Sequence, residues 1–298
     1  MRIVVTGCEG QVVRALMERG PLMGHDTVAL GRPELDLAGD TDVIQRALEA
    51  SRPDAMVSAA AYTAVDQAEV EPQMAAAVNI HGAAAVARAA NALGVPLIHL
   101  STDYVFDGNK NEPYVEDDRT NPSGAYGQTK LAGERAVLAS HDNVAVLRTA
   151  WVYSPFGANF VKTMLRLAAD RAEIGVVADQ FGNPTSAFDI ADGVIAVAAN
   201  LASSSASEMR GVFHMAGTGE ASWADFAEAI FDASAAAGGP RARVCHITTA
   251  DFPTRARRPA NSLLDCSKLA AAHAVRLPDW RHSIEIVIER LVGANPNQ

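Results

Sequence analysis

The segments Ser101-Thr102-Asp103-Tyr104-Val105-Phe106-Asp107-Gly108 and Tyr126-Gly127-Gln128-Thr129-Lys130 supply a hydroxyl, a phenol and an ammonium. On a helix, Tyr126 and Lys130 are i,i+4 neighbours, so their side chains converge on one small volume. Such groups suit the reduction of a carbonyl. A phenol titrates at about 10 and carries a donatable proton at neutral pH, while a nearby cation eases formation of the phenolate left behind. Lys130 is therefore expected to lower the Tyr126 pKa, and Thr102 to donate to the carbonyl oxygen. Proton transfer and oxyanion stabilisation of this kind are each worth roughly 10² to 10⁴ in rate. A Tyr-x-x-x-Lys pair alone is also what an ordinary helix face presents, so the rest of the chain has to decide.

A reduction needs a hydride, and the N-terminus offers a place for its carrier. Gly7-Cys8-Glu9-Gly10-Gln11-Val12-Val13 lies between a short apolar run and a helical pattern. In that context Gly7 permits a tight turn, and Gly10 lets a pyrophosphate approach the backbone at the helix N-terminus. Val13 stands where a third glycine would allow close helix packing, which predicts wider packing or a displaced pyrophosphate. The alternative is a structural β-to-α turn. The second strand ends Ala29-Leu30-Gly31-Arg32, with no acid before Glu34 and Asp36. An acid there would accept from a ribose 2′-hydroxyl, whereas an arginine accommodates a 2′-phosphate. Arg32 thus favours NADPH, with NADH the alternative and a solvated turn arginine the plainer reading.

The elements that must position these residues show in the hydrophobic pattern. Uniformly apolar runs at residues 2–6, 27–30, 55–58, 97–100 and 144–147 read as strands buried on both faces. Helical stretches at 11–19, 42–51, 72–93 and 129–139 alternate with them. This predicts an α/β protein, a Rossmann-like doubly wound parallel sheet with right-handed crossovers. After about residue 155 Pro, Gly and aromatic residues cluster and strands thin out. Residues 1–155 are therefore assigned to a dinucleotide-binding domain, and 156–298 mainly to a smaller α/β substrate-binding lobe, with later segments returning to the first sheet. Helices are expected at 159–169, 188–201, 223–236 and 279–291, with strands near 174–178 and 212–215.

Composition excludes several classes. The 298 residues carry a formal net charge of -10, which argues against nucleic acid or an anionic membrane as partner. A phosphorylated ligand needs only a local arginine or a helix N-terminus. Three scattered cysteines, Cys8, Cys245 and Cys266, suit neither a disulfide framework nor a zinc site. With neither a leader nor an apolar span visible, a cytoplasmic enzyme is expected. Arg255, Arg257 and Arg258 in one Pro-bounded loop read as a diphosphate clamp, or else as a solvated charge run. His99 reads as a core histidine, and Asn79 as either a support of the site or a cap or kink.

The chain resembles the extended short-chain dehydrogenase/reductase superfamily and, within it, the dTDP-4-dehydrorhamnose reductase family. The likeness rests on Gly7-x-x-Gly10-Gln11-Val12, the stretch Ala59 to Asp66, Ser101 to Gly108, and Tyr126 to Glu134. It continues through Arg148-Thr149-Ala150-Trp151-Val152-Tyr153, Asn159-Phe160, Asp179 to Thr185 and Arg258-Pro259-Ala260-Asn261-Ser262. The Thr-Asp-Tyr-Val-Phe and Arg-Pro-x-Asn-Ser segments are the more specific ones. The resemblance implies catalysis by Thr102, Tyr126 and Lys130. It implies cofactor contacts from Gly7, Gly10, Gln11, Val12, Arg32, Asp36, Leu37, Ala61, Tyr62 and Thr63, besides Tyr126 and Lys130. Val65, Thr102, Asp103, Tyr104, Trp151 and Arg258 would meet the nucleotide sugar. Some family members bridge dimers through a glutamate-held metal; the matching positions are Ala15 and Phe188, so no metal is expected.

The resemblance implies NADPH-dependent reduction of dTDP-4-dehydro-L-rhamnose to dTDP-L-rhamnose by a monomer or homodimer. Two alternatives stay open. One is a reductase of another nucleotide-linked 4-keto deoxysugar, since pocket shape reads such differences at only roughly 1 to 3 kcal/mol per methylene. The other is a non-catalytic regulatory protein of this fold, against which the intact Thr102, Tyr126 and Lys130 argue.

Overall fold

The computed structural model describes residues 1–293. Its first half alternates strand and helix: β1 (Arg2–Thr6), α1 (Gln11–Leu22), β2 (Asp26–Leu30), α2 (Thr41–Ala50) and β3 (Ala55–Ser58). Next come the short α3 (Val65–Ala68) and α4 (Pro72–Ala76), then α5 (Ala83–Leu93), β4 (Leu97–Thr102), α6 (Ala125–Ser140) and β5 (Val144–Thr149). The remainder holds β6 (Val152–Tyr153), α7 (Phe160–Ala168), β7 (Glu173–Val177), β8 (Phe181–Gly182), β9 (Thr185–Ser186) and α8 (Ala187–Ser203). It closes with β10 (Gly211–His214), β11 (Ala221–Ser222), α9 (Trp223–Ala236), β12 (Arg243–Ile247), α10 (Ser267–His273) and α11 (Trp280–Gly293).

The apolar strands assemble as expected of runs that cannot leave a face in water. Six of them form one sheet in the order β10-β5-β4-β3-β1-β2, and every adjacent pair is parallel. One face is covered by α1 and α8 around Leu16, Ile190, Val194 and Phe213. The other is covered by α2, α5 and the end of α6 around Ile44, Leu48, Val86 and Val137. Strand β10 and helix α8 both lie beyond residue 155, so the sheet draws its last strand and half of one covering layer from the second half of the chain.

A second core, built around Tyr153, Phe226, Ile230 and Trp280, joins α7, α9 and α11 to the parallel pair β7 and β12. The helix read across residues 72–93 is not continuous. It passes through a π-helical segment, Ala77–Gly82, between α4 and α5. At that place α6 comes very close, since a Cβ on Gly133 would stand 2.1 Å from the Asn79 carbonyl oxygen. Among the described residues no helix is long and apolar enough to cross a membrane.

Candidate active site

A cleft of about 1190 Å³ opens beyond the carboxyl ends of β1 to β5, where the chain switches from the β2 side of β1 to the β3 side. That is where an open doubly wound sheet binds its ligands. Its lining includes Gly7, Gly10, Gln11, Val12, Arg32, Asp36, Leu37, Ala61, Tyr62, Thr63 and Val65. Thr102, Asp103, Tyr104, Tyr126, Lys130 and Trp151 complete the set of sequence candidates on this surface. Arg258 is absent from the lining but reaches it through Tyr104, whose hydroxyl lies 3.4 Å from an Arg258 nitrogen.

The glycine turn is shaped for close approach. Gly7 sits at φ 96°, a region that disfavours any side chain, and its amide donates to the Leu30 carbonyl at 2.5 Å. Gly10 has ordinary extended angles, and a Cβ there would meet only Val13, at 3.5 Å. Nothing in the chain itself demands glycine at that position. The free space above it faces the cleft beside the N-terminus of α1, which fits a pyrophosphate. Val13 is buried beneath the turn, its Cγ2 at 3.5 Å from the Cβ positions of both glycines, and fills the space a third glycine would have left. Arg32 is exposed on the cleft lining, as is Asp36, whose carboxylate accepts the Ala38 amide at 3.0 Å.

Gln11 has a role the sequence did not suggest. Its side chain donates to the Val152 carbonyl at 3.3 Å and accepts from Ser154 Oγ at 2.7 Å and Asn159 Nδ2 at 2.9 Å. Its amide is thus spent on tying the glycine turn to the second lobe. Asn159, which caps α7 and lines the cleft, was passed over as a site residue. A cap before an apolar helix was readable at Asn159-Phe160, but its 148-residue link to Gln11 was not.

On the β3 side, Thr6 Oγ1 accepts the amides of Ala59 and Ala60, fixing the loop that runs to Ala61 and Thr63. Asn79 then clamps Tyr62. Its Oδ1 accepts the Tyr62 amide at 2.8 Å, and its Nδ2 donates to the Tyr62 carbonyl and to Thr129 Oγ1. The π-helical turn aims Asn79 directly at both elements, with no water required. His99 is buried against Ser58 Oγ at 3.0 Å and serves as a core residue.

Helix α6 begins at Ala125 rather than near Thr129, because Glu69 Oε1 accepts the Ala125 amide at 2.7 Å and starts the first turn there. Tyr126 and Lys130 therefore share a helix face toward the cleft. Lys130 is buried and its Nζ donates to the Leu100 carbonyl at 2.7 Å. Burial pulls its pKa down to about 8, opposed by the Glu134 carboxylate. The expectation that Lys130 depresses the Tyr126 pKa is corrected here. Burial raises the phenol, with the Thr102 hydroxyl opposing and the charges of Asp103 and Tyr104 adding, while the ammonium is directed at Leu100. The raised pKa keeps Tyr126 firmly protonated, as a proton donor must be.

Thr102 ends β4 beneath these groups, and Asp103 opens the 3-10 turn that follows it. Thr102 Oγ1 donates to Asp103 Oδ1 at 2.8 Å and accepts the Tyr104 amide at 3.2 Å. Its hydrogen faces Asp103, so donation to a ligand carbonyl requires the hydroxyl to turn. Asp103 Oδ2 is buried with no partner in full hydrogen-bond geometry; burial lifts the carboxyl to about 6, opposed by the hydroxyls of Ser262 and Thr102. An unsatisfied acceptor on a cleft wall suits a ligand hydroxyl. Tyr104 packs edge-on to Tyr126, centroids 5.6 Å apart.

Trp151 adopts φ 45°, a conformation rare for a bulky side chain. Its indole is stacked on Trp223 at 3.6 Å and lies over Gly182, where a Cβ would be 2.4 Å from the ring. Strain held by packing on both sides is typical of functional positions. Of the three loop arginines, Arg255 and Arg257 are exposed, and only Arg258 is drawn inward, paired with Asp66 at 2.5 Å. Among the described residues no group of three or more His, Cys, Asp or Glu could hold a metal. Ala15 is fully buried in the core and Phe188 lies edge-on to Phe156.

A parallel doubly wound sheet, a glycine turn at its switch point and a Tyr-Lys pair facing the same cleft define an oxidoreductase of the dinucleotide-binding α/β class. The family model "RmlD substrate binding domain" matches residues 1–292. A dTDP-4-dehydrorhamnose reductase of Sinorhizobium fredii is 50% identical over 98% of both chains, and one of Escherichia coli K12 is 40% identical over 98% of each. The crystal structure of a Bacillus anthracis dTDP-4-dehydrorhamnose reductase in complex with NADP superimposes with a TM-score of 0.89 at 34% identity, covering 97% of this chain and 99% of that one. The chain belongs to the dTDP-4-dehydrorhamnose reductase family and is an NAD(P)H-dependent oxidoreductase.

Proposed function

We propose that the enzyme reduces the 4-keto group of dTDP-4-dehydro-L-rhamnose with NADPH, giving dTDP-L-rhamnose. The observation that carries this reading is the grouping of Thr102, Tyr126 and Lys130 on the wall of a cleft that begins at the glycine turn. When bound, the reduced nicotinamide supplies the hydride to C4. Tyr126 gives its phenolic proton to the ketone oxygen, and Thr102 turns from Asp103 to donate to the same oxygen. Lys130, held by the Leu100 carbonyl, keeps a positive charge on the cleft wall and can donate to the nicotinamide ribose. Asp103 Oδ2 accepts a sugar hydroxyl, Tyr104 and Trp151 bound the sugar with Val65 beside them, and Arg258 meets the diphosphate.

The glycine turn with Gln11 and Val12 carries the pyrophosphate, and the Ala61 to Thr63 loop carries the nicotinamide side. Asp36 and Leu37 border the adenosine, with Arg32 on its 2′-phosphate. Arg32 and the NADP bound to the Bacillus anthracis relative support NADPH over NADH. A monomer or homodimer working in the cytoplasm fits the reading. Since Ala15 and Phe188 bring no side-chain oxygen, chelators should leave activity unchanged. The test is NADPH oxidation against a panel of nucleotide-linked 4-keto sugars. Fastest turnover of the 6-deoxy-4-keto dTDP sugar is expected, and preference for another sugar or base would transfer the enzyme to that substrate.

A further inference from the structure

Beneath the Tyr-Lys pair lies an ion pair that the reaction described above does not use. Glu134 follows Lys130 by one helical turn on α6, and both side chains are turned toward β4 and β5. Glu134 Oε1 accepts from Ser101 Oγ at 2.5 Å and from Arg148 Nε at 2.9 Å, while its Oε2 accepts Arg148 Nη2 at 2.8 Å. The side chains of Arg148 and Glu134 are only 4% and 2% exposed. Lys130 donates to the carbonyl of Leu100, the neighbour of Ser101, so both α6 side chains are anchored on consecutive residues of one strand.

As a stabilising device this arrangement is a poor choice. Two buried charges lose their hydration, and apolar residues of similar volume in their place are often neutral or stabilising. One Arg148 nitrogen, Nη1, has no partner at all, and its guanidinium lies 5.1 Å over the Phe106 ring. What the pair does provide is a carboxylate fixed by three donors, unable to swing away, one helical turn below a buried ammonium.

We infer that Glu134, locked by Arg148 and Ser101, is a positioning residue that keeps Lys130 charged in its dry site. The inference rests on the catalytic reading of Lys130 for its purpose, but not for its measurement. The groups facing Lys130 are few. Glu134 on α6 and His99 on β4 act on it directly, Tyr126 and Asp103 share its cleft wall, and Arg148 on β5 is joined to it through Glu134. His99 is held neutral by burial and by Lys130 itself. Among all of these, Glu134 is the charge that favours the protonated amine against its desolvation.

The chain has four lysines, Lys110, Lys130, Lys162 and Lys268, so lysine labelled with ¹³C at Cε gives a readable spectrum. The Lys130 resonance is the one missing from Lys130→Arg, and it is followed through a pH titration without substrate. In Glu134→Gln/Arg148→Met, which removes both charges and keeps the volume, the Lys130 midpoint should fall by about one pH unit or more, as for loss of an opposite charge at close range. A fall at least as large is expected in Glu134→Gln alone, which leaves the Arg148 charge unpaired, and the alkaline limb of kcat/KM should move with it. An unchanged Lys130 midpoint in a folded variant overturns the inference. So does failure of both variants to fold, which would make the pair a structural one. Absence of reductase activity in the parent enzyme would sink the catalytic reading while leaving the titration to stand or fall by itself.

Discussion

The Asp66 carboxylate holds the Arg258 guanidinium at 2.5 Å and the Ala256 amide at 2.9 Å, gripping from the β3 side a loop 190 or more residues away. Arg258 is thereby fixed beside Tyr104 at the cleft, with one nitrogen turned to the phenol at 3.4 Å. The pair is partly exposed, so its own worth to stability is small, roughly 0 to 1 kcal/mol. Its consequence is placement of a positive charge. Arg258→Ala should raise KM for the nucleotide sugar roughly tenfold or more, as loss of a hydrogen bond to a charged group does, with little change in Kd for NADPH. Calorimetry with dTDP settles the point: unchanged affinity in the variant would place the diphosphate elsewhere.

Arg32 offers a test of cofactor choice. If its guanidinium meets a 2′-phosphate, Arg32→Ala should weaken NADPH binding by about 1.5 to 3 kcal/mol and leave NADH nearly unaffected. Fluorescence titration with both cofactors reads this directly. Equal losses, or none, would make Arg32 a turn residue only.

The buried Lys130 predicts opposite trends for activity and for its share of stability. Its folded pKa of about 8 lies below the ordinary value of 10.5, so the catalytic ammonium is present below pH 8 and is lost as pH rises through it. kcat/KM should therefore show an alkaline limb near pH 8. Between pH 8 and 10.5 the unfolded chain binds the extra proton, so this group's contribution to stability rises with pH across that window. Lys130→Met should abolish both the limb and the trend. A parent profile flat from pH 7 to 10 would show that Lys130 does not titrate in the working enzyme.

Trp151 is strained and doubly supported, which makes Gly182 more than a spacer. A Cβ on Gly182 would enter the indole, 2.4 Å from its Cε2. Gly182→Ala should displace Trp151 from Trp223 and raise KM for the sugar nucleotide, with NADPH affinity kept. Unaltered KM would mean that the indole is not part of the sugar site.

The first sheet was legible because strands buried on both faces are apolar throughout, and β1 and β3 have the very bounds the apolar runs suggest. The helix over 72–93 was legible as helical but not as broken, since the π-helical turn answers to Gly133 on another helix. In the second lobe β6, β8, β9 and β11 are two residues long and exist through distant partners, so no local pattern announces them. The cleft residues could be named from motifs that lie at strand ends. Their hydrogen bonds could not: Gln11 to Asn159 and Asp66 to Arg258 join residues far apart in sequence. The direction of the Tyr126 shift was misread for a related reason, because spacing reveals that a lysine is near but not that its ammonium faces the Leu100 carbonyl.

The account stands or falls on Tyr126 as the proton donor in the reduction of a nucleotide-linked 4-keto sugar. The most direct measurement is single-turnover oxidation of NADPH by Tyr126→Phe with dTDP-4-dehydro-L-rhamnose, alongside NADPH binding to the same variant. The phenyl ring keeps the packing against Tyr104 and loses only the hydroxyl. A fall of roughly 10² to 10⁴-fold in the chemical step with unchanged NADPH affinity is predicted, the range for a positioned acid. Turnover comparable to the parent enzyme would contradict it.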